Sequence, residues 1–167
     1  MTVVVGYLAG KSGAAPLRLA VGAARTLRTS LTVATIVPKP WTYPSPARVD
    51  AEYAEWADQL AADSAHEAAR ELAALPHDLA VSYHSHAHRS VSGGLVEVVS
   101  ELDAELLVLG SAGGQLGQLM VGSTADRLLH SCPVPVAITP RGYRGARSGV
   151  LTRITCGYPG TPESVEV

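Results

Sequence analysis

Five short apolar runs alternate with four stretches of helical periodicity along this 167-residue chain. The runs are Val3 to Gly6, Leu31 to Val37, Leu79 to Tyr83, Leu106 to Leu109 and Val134 to Ile138. Between the first two, Leu17, Ala20, Val21, Ala24 and Leu27 recur at helical spacing, with Pro16 in the first turn, where its missing N–H costs little. A long Ala/Glu/Asp helix runs from about Val49 to Leu75 and is stopped by Pro76. Ser90-Val91-Ser92 caps a helix carrying Leu95, Val96, Val99 and Leu102, and Thr124 to His130 forms a short fourth helix. Strands that are each followed by a helix pair in parallel and are buried on both faces. The pattern therefore predicts an α/β fold: an open parallel five-stranded sheet in the order 3-2-1-4-5, with right-handed crossovers and helices on both faces. Phe is absent. Ala, Val and Leu must fill the core, which suits close packing of helix on sheet.

In such a sheet, ligands bind at the carboxyl ends of the strands beside the point where the strand order reverses, here between strands 1 and 4. Two loops meet there. One is Leu8 to Gly13. The other follows Leu109 and holds Gly110, Gly113, Gly114 and Gly117 before Gly122-Ser123-Thr124 opens the fourth helix. A glycine loop leading into a helix N-terminus offers unpaired N–H groups and the positive end of the helix dipole, which suits a phosphate. Glycine at 113 permits positive φ and a close approach, Gly122 clears the helix start, and Ser123 and Thr124 add hydroxyls. The competing reading of the same loop is a tight connection kept for packing.

The element order, the Gly110-x-x-Gly113 pair, the later Gly122-Ser123 and the closing Ser131-Cys132-Pro133-Val134-Pro135-Val136 resemble a universal stress protein domain over residues 1–140. The resemblance implies a Rossmann-like fold of the adenine nucleotide alpha hydrolase-like kind. It also implies a stress-response regulatory module that binds ATP or AMP, with or without Mg2+. Leu8, Ile36, Leu109, Gly110, Ala112, Gly113, Gly122, Ser123 and Thr124 occupy the matching site positions, with Ile36 near the adenine. Two departures stand out. Nucleotide-binding members place nine residues between the second glycine and Gly-Ser; eight lie between Gly113 and Gly122 here. Those members also carry an Asp just after strand 1, where this chain has Leu8, with Lys11 and Ser12 nearby as partial substitutes. A nucleotide-independent dimerisation or interaction module is the alternative. The resemblance further implies pairing through strand 5, so a homodimer through residues 133–139 is expected, with Pro133 and Pro135 confining that strand to a sheet edge.

His84, His86 and His88 alternate and share one face of an extended strand, where three imidazoles can ligate zinc or copper. No carboxylate or Cys stands beside them in sequence, and a solvated edge strand accounts for them; no metal site is assigned. His66, His77 and His130 stand alone. Tyr53 and Trp56 on the long helix read as core, while Trp41 and Tyr43 lie in a proline-rich loop at the ligand end of the sheet. Ser111 and Ser123 lack evident His/Asp partners, and Asp126 suits the helix start, so no catalytic residue is assigned, and slow hydrolysis of a bound nucleotide is the least supported reading. A net charge of −2 without a basic run excludes nucleic acid as the main partner. No signal peptide or bilayer-spanning run is evident, and two cysteines, Cys132 and Cys156, fit a reducing compartment, so the expected location is cytoplasmic. Residues 141–149 read as a linker. Residues 150–167 read as a remnant or first strand of a second repeat, disordered or borrowed by a partner, with Gly157-Tyr158 echoing Gly6-Tyr7.

Overall fold

The structure, a computed structural model, describes residues 1–39, 49–75, 78–146 and 148–155. Its elements are β1 (Thr2–Gly6), α1 (Ala14–Leu27), β2 (Ser30–Pro38), α2 (Val49–Ala73), β3 (Val81–His88), α3 (Val91–Glu101), β4 (Ala104–Gly110), α4 (Ser123–Ser131) and β5 (Val136–Thr139). All strand pairs are parallel, and the sheet order is β3-β2-β1-β4-β5, as the alternation of elements predicts.

The central strand shows why the sheet is sandwiched. Val3, Val4 and Val5 are each fully buried. Successive side chains leave opposite faces. Val3 and Val5 pack with Leu17, Ala20 and Ala24 of α1 and Ala68 and Leu72 of α2. Val4 packs on the other face with Leu95, Val98 and Val99 of α3 and Leu128 of α4. Two cores result, one on each side. Arg28 closes α1 in the left-handed region (φ 56), and its N–H reaches the carbonyls of Ala24 and Arg25.

Three expectations shift. Strand 5 begins at Val136, not Val134, because Pro133 and Pro135 have no N–H to give the ladder; only the Pro135 carbonyl is used, accepting from Leu107 N at 3.0 Å. Strand 3 starts at Val81 and runs on to His88, so all three histidines are strand residues. Trp56 is half exposed; it touches Tyr53 at a ring distance of 5.5 Å on the outer side of α2 and is not core.

After β5 the chain crosses α1. Leu151 N donates to Thr26 Oγ1 at 2.8 Å, and its side chain lies close to Gly22. Residues 150–155 have no regular structure. The remainder of the proposed repeat, with Cys156 and Gly157-Tyr158, lies outside the described residues, as do Trp41, Tyr43 and His77. Among the described residues no helix is long and apolar enough to cross a membrane.

Candidate functional site

A cavity of about 370 Å3 opens where the carboxyl ends of β1 and β4 part. Of the nine residues singled out from sequence, eight line it: Leu8, Ile36, Leu109, Gly110, Ala112, Gly122, Ser123 and Thr124. Gly113 does not; it stands off the wall at φ +158, near the extended limit.

The phosphate-suited wall is the start of α4. Gly122 takes the N-cap position with extended backbone (φ −84, ψ 169) and no capping side chain. The first N–H groups of a helix have no partner within it, and Ser123, Thr124 and Ala125, which carry those of α4, line the cavity. Glycine is needed here for space. A Cβ on Gly122 would stand 2.6 Å from that of Ala112.

The glycine loop itself is folded inward on its own bonds. Ser111 Oγ accepts from Met120 N at 2.8 Å and donates to Gly113 O at 3.0 Å. Ala112 N donates to Met120 O, Gly117 N to Arg141 O, and the Arg141 guanidinium to Gly114 O. The donors at 112, 117 and 120 are thus spent within the protein. The segment leaves Leu116, Leu119, Met120 and Val121 exposed on its outer side.

The facing wall is the loop after β1. Leu8 sits in it where a carboxylate was expected by resemblance. Lys11 and Ser12 also line the cavity, and Lys11 is the one charged side chain among the described residues that do. Ser12 Oγ accepts from Leu8 N at 2.9 Å, so it braces the loop. The loop hangs from α2, a contact the sequence did not reveal. Glu67 accepts from Gly10 N (3.2 and 3.1 Å to its two oxygens) and from the Tyr7 hydroxyl at 2.7 Å, while Ser64 Oγ accepts from Ala9 N at 3.1 Å. Burial, then the bond to Glu67 and its charge, push the Tyr7 phenol well above its ordinary range.

The third side is apolar. Val91 and Leu95 of α3 complete a slot with Ile36 and Ala34. The only signal for them in sequence was their place just after the Ser90 cap. Among the described residues that line the cavity none is a carboxylate or an imidazole.

The β3 histidines share one face, as their alternation requires, with His84 and His86 rings 6.2 Å apart and His86 and His88 rings 6.4 Å apart. The absence of a nearby carboxylate does not hold in space. The chain reverses after His88, and α3 lays Glu97 and Glu101 beside the imidazoles. His86 Nε2 lies 2.7 Å from Glu97 Oε2, and His88 Nε2 lies 3.6 Å from Glu97 Oε1. The His86 hydrogen bond holds the Glu97 carboxyl below its usual range. His66 and His130 are exposed.

Comparison with known proteins accords with this geometry. The Universal stress protein family model matches residues 1–140. A curated universal stress protein of Mycobacterium bovis is 61% identical over 168 aligned positions covering all of this chain, which spans 57% of that relative's length. Among solved structures, a universal stress protein from Archaeoglobus fulgidus superposes with a TM-score of 0.59 at 20% identity, covering 83% of this chain and 98% of that one. The Archaeoglobus protein in complex with dAMP gives 0.53 at 19%, covering 83% and 97%. A universal stress protein in complex with cAMP gives 0.58 at 24%, covering 83% and 96%. With a family model spanning most of its length and a parallel sheet in the matching order, the chain belongs to the universal stress protein family.

Proposed function

We propose that this chain is a stress-response regulatory module that binds an adenine nucleotide, ATP or AMP, in the cavity between the loops after β1 and β4. The carrying observation is the uncapped N-terminus of α4 facing Lys11 across that cavity, with an apolar slot beside it. Phosphate oxygens meet the N–H groups of Ser123, Thr124 and Ala125 and the Lys11 ammonium; the base lies against Ile36, Val91 and Leu95. The relatives solved with dAMP and cAMP support an adenine nucleotide. With Leu8 in place of a carboxylate, none of the described residues lining the cavity is an acidic ligand for Mg2+, and binding is expected to depend little on magnesium. The same proposal places the protein in the cytoplasm, without catalytic turnover.

Titration calorimetry with ATP and AMP, with and without Mg2+, tests this. Gly122→Val drives a side chain into Ala112 and across the helix start, and it should weaken binding at least tenfold while the far-UV circular dichroism is kept. Equal affinity in the variant would show that α4 is not the phosphate cradle.

Two observations favour a second reading, a nucleotide-independent interaction module. Leu8 removes a ribose or metal ligand, and the glycine loop has turned several donors inward. No heat at millimolar nucleotide would select it. In either reading we propose a homodimer through residues 133–139, where β5 forms an edge of the sheet.

A further inference from the structure

We propose that His84, His86 and Glu101 form a binding site for a zinc-class divalent cation, separate from the nucleotide cavity. Three observations converge on it. First, one ligand atom from each of these residues lies within 4.8 Å of the other two. A tetrahedral zinc with bonds of about 2.0–2.1 Å sets its ligand atoms roughly 3.4 Å apart, so small rotations about the side-chain bonds close the set. Second, His84 Nε2 is buried without a hydrogen-bond partner. A buried nitrogen left unpaired forfeits its lost hydration, and a cation relieves that cost. The His86–Glu97 pair does nothing for His84. Third, the placement is set by rigid elements. Residues i and i+2 of a strand and i and i+4 of a helix each share a face, so β3 offers His84 and His86 as a row while α3 offers Glu97 and Glu101 as the facing row.

The donor chemistry selects the ion. Two imidazoles and one carboxylate suit Zn2+, Ni2+ or Cu2+, whereas Mg2+ and Ca2+ require oxygen ligands. Three protein ligands leave a fourth position for water or for Glu97, whose carboxylate already reaches His86. The bound ion joins the edge strand β3 to α3.

The test uses the full chain with any affinity tag removed, stripped by chelator and titrated with zinc chloride by calorimetry, with cobalt substitution to report coordination by its visible absorption. One zinc per chain is expected, with a tetrahedral cobalt spectrum. His84→Ala and Glu101→Gln should each weaken zinc at least about tenfold, and His66→Ala, on the exposed side of α2, should leave it unchanged. Unfolding of each variant without metal checks that it is folded. Glu101→Gln is nearly isosteric and exposed, so it remains informative should His84→Ala fail to fold. Absence of zinc uptake, or uptake of equal affinity in the parent and both variants, overturns the proposal.

Discussion

At Tyr7 a phenol only 3% exposed donates to Glu67 Oε1 at 2.7 Å, and the same carboxylate takes the Gly10 N–H. One acidic side chain of α2 thereby fixes both the end of β1 and the loop that walls the cavity at the strand ends. A hydrogen bond to a charged group contributes about 1.5–3 kcal/mol, so Tyr7→Phe should lower stability by about that much in urea unfolding. The pH dependence has a definite sign. The folded-state pKa of Tyr7 is raised above the unfolded value near 10. The native state therefore holds this proton more tightly, its contribution is complete below pH 10, and it is lost as pH rises beyond that value. The parent should lose stability in alkali more steeply than Tyr7→Phe, and identical alkaline profiles would show that the phenol is not so held. None of this is legible locally in the sequence, because Tyr7 and Glu67 stand 60 positions apart and only the packing of α2 on the sheet unites them.

Among the elements, β5 is where backbone geometry makes the clearest demand. The carbonyls of Pro135 and Thr139 accept from Leu107 and Ser111, so they face β4. Backbone groups alternate in direction along a strand, and those of Val136 and Ile138 face away from the sheet. Such an edge recruits another strand. Light scattering over a concentration series should report a dimer, and a monomer at the highest concentration reached would remove this edge as the interface. Sequence patterning located all five strands because doubly buried runs such as Val3 to Val5 and Leu107 to Leu109 leave an unbroken apolar signature. It misplaced the start of β5 because Val134 keeps the alternation while the flanking prolines forbid the ladder. It located the walls of the cavity through Gly122 and Ser123, whose residue types are tied to a helix start. It missed Val91 and Leu95, whose part is assigned only by how α3 lies across β2. It took Trp56 for core because an aromatic at helical spacing reads the same whether it faces the sheet or solvent.

Across the whole molecule, the cavity between β1 and β4 and the histidine–glutamate cluster lie on either side of one close approach. Helix α3 settles onto the sheet at Gly93 and Gly94. A Cβ on Gly94 would stand 2.8 Å from Ile36 Cγ2 and 2.9 Å from His88 Cβ, so the neighbours would have to move. Ile36 belongs to the apolar slot, and α3, which would be lifted, carries Glu101, the third member of the proposed zinc set. Gly94→Ala should therefore weaken both nucleotide and zinc in parallel titrations, whereas Gly122→Val should touch the nucleotide alone; a Gly94→Ala protein with both affinities intact would show that α3 yields without disturbing either. One missing methyl group thus lets α3 seat against the apolar slot and the imidazole row at once, so a change that lifts the helix at Gly94 disturbs both walls together.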